Sequence, residues 1–161
     1  MDNLIEIPNH QCEIFSNKSS DIVLVIPVIN EGKKIRDQLS SIKQYNFNID
    51  IVIADGGSSD NSLDSTFLKE QGVRALLVKE DVGKLSSQLR IAYHWSLQER
   101  YQGIITIDGN GKDDVSYIPR IKHRLEQGFD YVQGSRYIKG GFSKNTPLDR
   151  VVANRLLHAP I

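Results

Sequence analysis

The stretch Ile104-Ile105-Thr106-Ile107-Asp108-Gly109-Asn110-Gly111 decides the reading of this chain, because an apolar, β-branched run stops abruptly at oxygen-bearing side chains set among glycines. Such a run predicts a buried strand opening into a loop. In open α/β sheets ligands lie beyond the carboxyl ends of the strands, where Asp108 and Asn110 stand. In extended chain, residues two apart share a face. Two side-chain oxygens on one face suit a hard cation such as Mg²⁺ or Mn²⁺, which in turn holds phosphate. Asp-Gly and Asn-Gly are also favoured turn formers, so these residues alone leave a plain turn open.

Similar apolar runs occupy residues 22–28, 49–54, 74–79, 103–107 and 131–133. They lack polar alternation, as expected of strands covered on both faces by helices. Helical spacing appears between them: Ile35, Leu39 and Ile42 in 31–45, Leu85, Leu89, Ala92 and Leu97 in 85–101, and Ile118, Ile121 and Leu125 in 116–127. Asn30, Ser59 or Asp60, and Asp114 or Ser116 are candidate N-caps, Gly72, Gly103 and Gly128 follow helices, and Pro119 sits in a first turn. Strand and helix in alternation predict right-handed crossovers and a mostly parallel sheet. After Arg136 the pattern breaks: 137–147 reads as a loop around Gly140-Gly141, and 148–157 as a partial last helix.

A length of 161 residues fits one domain, with 1–20 as an N-terminal extension and 138–161 as a loop and partial helix. The 20 basic and 20 acidic residues cancel, which argues against nucleic acid as a partner. The first residues do not resemble a secretory signal, and the longest apolar run, broken by Pro27, is far short of the roughly 20 residues of a membrane helix. A cytoplasmic setting follows, with room for attachment at the inner face of a membrane. The single Cys12 fits a reduced compartment.

Polar groups also cluster at other strand ends. Pro27-Val28-Ile29-Asn30-Glu31 closes the first apolar run and Asp55-Gly56-Gly57-Ser58-Ser59-Asp60 the second. Asp55 is a candidate acceptor for a nucleobase or ribose, or else a turn-stabilising Asp; Asp60 reads as a helix cap. Gly83-Lys84-Leu85-Ser86 opens a helix where backbone donors and a lysine can meet phosphate, but it is not a P-loop, since Val78 replaces the earlier glycine and Leu85 the Ser or Thr. Nor is 108–119 an EF-hand, with Lys112 at a ligand position and Pro119 in place of the closing Glu. Arg136, in Gly134-Ser135-Arg136-Tyr137, is a candidate phosphate ligand. The four histidines have no metal or triad spacing, and no serine or cysteine sits in a nucleophile elbow.

In order, VLVIPVINEGKKI, IVIADGGSSDNS, GKLSSQLRIAY, ITIDGNGKDDVSYIP and DYVQGSRY resemble the family 2 glycosyltransferases, nearest the dolichyl-phosphate mannose synthase-like branch. The resemblance implies an α/β GT-A fold and a nucleotide-diphosphate sugar donor, with a UDP- or GDP-sugar as substrate. It places Pro27, Val28, Asn30 and Glu31 around the nucleotide, Asp55 at the base and Lys84 near by. Asp108 and Asn110 match the family's Asp-x-Asp, which binds Mg²⁺ or Mn²⁺ on the donor diphosphate; here the second carboxylate is an amide. The implied acceptor is a polyprenyl phosphate or a saccharide, and no residue matches the family's general base. Relatives continue beyond the position of Ile161, so the chain resembles a C-terminally truncated catalytic domain, open to homo-oligomer formation. A non-catalytic nucleotide-sugar-binding module and a Mg²⁺-dependent phosphatase-like or receiver-like domain are the alternatives.

Overall fold

The computed structural model describes residues 6–134. Arg136, the expected loop at 137–147 and the expected helix at 148–157 lie outside the described residues. Five strands form one sheet: β1 (His10–Ile14), β2 (Ile22–Val28), β3 (Asp50–Asp55), β4 (Val73–Lys79) and β5 (Gly103–Thr106). The helices are α1 (Lys33–Tyr45), α2 (Ser65–Glu70), α3 (Leu85–Gln98) and α4 (Ile118–Glu126), the last preceded by a 3₁₀ turn at Val115–Tyr117. The strand order is β1-β4-β3-β2-β5, parallel throughout except for β1, which runs antiparallel to β4.

Alternation along each strand divides the core into two layers. Leu24, Ile26, Ile53 and Ile105 pack with Ile35, Leu39 and Ile118 on one face. Val23, Val25, Val52, Ala54 and Leu77 pack under Ile91, Ala92 and Trp95 of α3 on the other. All seven residues of β2 and all six of β3 are buried, which is why their sequences carry no polar alternation. Burying each such aliphatic side chain contributes about 1.5–3 kcal/mol, and this fixes the register of the central strands.

Two expected elements differ. Residues 131–133 form no strand: Tyr131 is 77% exposed, and this three-residue run flanked by Asp130 and Gly134 offers too little apolar surface to add to the short β5. Only the middle of the expected α3 stripe is on its buried side: Ala92 is buried and Leu89 half-buried against the core, but Leu85 and Leu97 are exposed, and Gln88, Ile91 and Trp95 complete the face toward the sheet. The sheet captures this phase because Gln88 finds two carbonyl acceptors there, as described below.

Arg74 anchors the far end of α3. The β3–β4 register shifts at Ile51/Val52, so that Arg74 is the extra residue of a β-bulge. Its buried guanidinium donates to Glu99 Oε2 at 2.6 Å and lies 4.8 Å from the Trp95 ring centroid. Tyr101 closes the cluster by donating to Asp50 Oδ2 at 2.7 Å.

Turn chemistry also departs from expectation in places. The α1 N-cap is Gly32, not Asn30, and α2 is capped by Asp64, whose side chain accepts from Phe67 N. Asp114 caps the 3₁₀ turn as read. Gly72 and Gly128 follow helices in the left-handed region, but Gly103 belongs to β5, and Arg100 takes the left-handed position after α3.

Candidate functional site

From β2 the sheet grows through β3 to β4 on one side, and then β5 is laid down on the other side of β2. The strand order therefore reverses between β2 and β5, and the crevice beyond their carboxyl ends is where doubly wound sheets take ligands. Asn30 and Glu31 follow one of these strands; Asp108 and Asn110 follow the other.

The two walls meet at backbone distance. Ile107 N donates to Val25 O and Gly109 N to Pro27 O, both at 3.3 Å, so β5's pairing with β2 continues to Gly109. A Cβ on Gly109 would stand 2.8 Å from Pro27 O, so this position has room only for glycine. Pro27 and Val28 are buried, and their carbonyls are engaged within the protein.

The β2 and β3 ends are laced together. Asn30, held at φ 51°, donates its N–H to Ser58 Oγ at 3.0 Å and accepts Ser59 N–H on its side chain at 2.8 Å. Ser58 donates through both Oγ and N to the Asp55 carboxylate, which is 5% exposed. Asp55 thus stabilises its own turn, and an ionised carboxylate keeps acceptor capacity beyond those three bonds. Asp60 accepts Gly32 N–H at 2.8 Å and both donors of Ser62; it ties the two loops together and does not cap α2.

Hydrogen bonds hold several of these carboxyls below the ordinary range. Asp60 is lowered by the Ser62 hydroxyl and amide and by Gly32, Asp64 by Arg36 and the Phe67 amide, and Asp114 by Ser116. Folded values below the unfolded ones mean that this stabilisation is complete above about pH 5 and is lost as pH falls through the lowered values. Urea unfolding from neutral pH to pH 2 should therefore show stability falling below about pH 4, and Asp60→Asn should flatten that fall.

At the β5 end, Asp108 is exposed and its backbone is clamped. Asp113 Oδ2 accepts its N–H at 3.0 Å, and Gln38 Nε2 donates to its carbonyl at 3.0 Å. Asn110 Nδ2 lies 3.4 Å from Asp108 Oδ2, while Asn110 Oδ1 accepts Lys112 N–H at 3.0 Å. That oxygen retains a second lone pair. Lys84 is exposed at the start of α3, beyond the end of β4 and separated from β2 by β3.

Two buried glutamines escaped the sequence reading. Gln88 donates to Val28 O at 2.7 Å and Ala54 O at 3.2 Å, bridging the ends of β2 and β3. Gln38 sits among Ile35, Leu39 and Ile42 on the buried side of α1, with Oε1 unpartnered. An unmet buried acceptor costs about 1–3 kcal/mol. The available signal was a glutamine at helical spacing within an apolar stripe, a local conflict of the kind that marks functional positions.

Comparison with known proteins gives the family. The Glycosyl transferase family 2 model matches residues 23–158, leaving β1 outside. An uncharacterized protein of Methanocaldococcus jannaschii is 30% identical over 138 residues, covering 83% of this chain and 54% of its own length. The polyprenol monophosphomannose synthase of Mycolicibacterium smegmatis is 22% identical over 136 residues, 83% of this chain and 51% of that protein. The dolichol-phosphate mannosyltransferase of Pyrococcus furiosus is 25% identical over 143 residues, 83% and 38% respectively. The chain spans about half the length of the first two. With a mostly parallel GT-A sheet and the five motifs in order, this chain belongs to glycosyl transferase family 2, in its dolichyl-phosphate mannose synthase-like branch.

Proposed function

We propose that this chain is the donor-binding part of a glycosyltransferase that moves a sugar from a UDP- or GDP-sugar to a polyprenyl phosphate at the cytoplasmic face of a membrane. The observation that carries the reading is the strand-order reversal between β2 and β5, with Asp108 exposed just beyond the end of β5 and the laced Asn30 and Asp55 turns beyond the ends of β2 and β3. In this reading the loop at Asn30 and Glu31 borders the nucleotide, Asp55 accepts from the base with its remaining lone pair, and Lys84 and Arg136 supply positive charge toward the phosphates.

Asp108 and Asn110 would hold Mg²⁺ or Mn²⁺. Their oxygens are hard donors of the kind that bind such a cation together with substrate phosphates. When bound, such an ion offsets negative charge on the leaving diphosphate. A polyprenyl phosphate acceptor arrives ionised and asks no general base of the chain, whereas a saccharide hydroxyl would need one. The names of the relatives above favour the lipid phosphate. Among the described residues no helix is long and apolar enough to cross a membrane.

Calorimetry tests the donor half. GDP or UDP with Mn²⁺ should bind with a Kd below about 1 mM, and Mn²⁺ alone should bind far more weakly. Absence of binding by either nucleotide with Mn²⁺ would overturn the reading.

A further inference from the structure

Asp108 presents its carboxylate from a peptide held on both sides. Its N–H is taken by Asp113 within the same loop, but its carbonyl is taken by Gln38 from a different element. Gln38 is 5% exposed on α1, and one helical turn before it Lys34 lies beneath Gly111, so the 108–111 turn runs along the Lys34 and Gln38 ridge. The 3₁₀ turn at Val115–Tyr117 packs on the same helix.

The tether comes with an unfavourable companion. Gln38 Oε1 is buried and has no hydrogen-bond partner, although a methionine or leucine would fill the same stripe without any unmet polar atom. We infer that Gln38 is a positioning residue for Asp108: its Nε2 sets the backbone from which the carboxylate faces the crevice, and its orphaned Oε1 is a stability cost of keeping that bond. The inference rests on the donor-binding reading above for its functional effect, but its structural half can be read without any ligand.

Gln38→Met keeps the unbranched shape and removes both polar atoms; Gln38→Leu serves as the second variant if the first does not fold. The thermal midpoint should stay at or above that of the parent protein, because an unmet acceptor has been removed. At the same time the affinity for Mn²⁺ with GDP or UDP should fall about tenfold, the lower end of what is lost when the support of a metal ligand is removed. In the unliganded protein, amide exchange across residues 108–112 should quicken about tenfold. A general packing role would lower the midpoint along with the affinity, and that result would overturn the inference. Unchanged exchange at 108–112 would overturn it too. If the parent protein binds neither nucleotide, the donor reading falls, and the exchange data still decide whether Gln38 holds the turn.

Discussion

Asp108→Ala is expected to abolish measurable Mn²⁺-dependent nucleotide binding and, in a chain competent for transfer, to lower the rate by about 10²–10³, as loss of one electrostatic contact to a leaving group does. Folding should barely notice. The Asp108 side chain is exposed and among the described residues accepts one side-chain hydrogen bond, the 3.4 Å contact from Asn110 Nδ2, while the backbone is held by Asp113 and Gln38 whatever the side chain. Stability in urea should therefore stay within about 0.5 kcal/mol. A matched fall in binding and stability would instead make Asp108 a turn former. Asn110→Asp is the informative companion, since it restores a second carboxylate while keeping an acceptor for Lys112 N–H; Mn²⁺ affinity with donor bound should rise, and no change would remove Asn110 from the ligand set.

Gly109→Val should be the most damaging single change near the crevice, costing about 3 kcal/mol in urea unfolding and lowering Tm by roughly 10 °C. The added Cβ would stand 2.8 Å from Pro27 O and 2.9 Å from Val28 Cγ2. The first of these is main chain in a fully buried central strand and cannot turn aside. The end of β5 must peel away from β2, taking Asp108 with it, so nucleotide binding should fall even at temperatures where the protein is still folded. Parental stability in the Gly109→Val protein would show that this junction can open without strain.

The four parallel strands were legible because each is an apolar run, and the candidate site was read from where those runs stop. What escaped depends on pairing and phase. β1, His-Gln-Cys-Glu-Ile, carries no apolar pattern and four of its five residues are exposed; it is a strand only because the outer edge of β4 is there to pair with it. Gln88 escaped because the sheet buries a face of α3 displaced from the leucine spacing, whereas Gln38 lay within the Ile35, Leu39, Ile42 stripe and was passed over. Asp60 and Asp64 are equally good caps on paper, and the bond from Gly32 N–H to Asp60 decides between them through a contact 28 residues away. Residues 131–133 show the converse, a β-prone triplet with no core to join.

The laced loops at the ends of β2 and β3 bear on selectivity in the proposed reading. Asn30, Asp55, Ser58 and Ser59 bond to one another, and Asp60 bonds to Gly32 and Ser62, so in that reading the conformational entropy of this wall is lost when the chain folds and not when a nucleotide docks. A surface ordered in advance cannot reshape itself around an ill-fitting base. If the chain binds a UDP- or GDP-sugar as proposed, discrimination between uracil and guanine becomes a matter of contour already set in the unliganded protein.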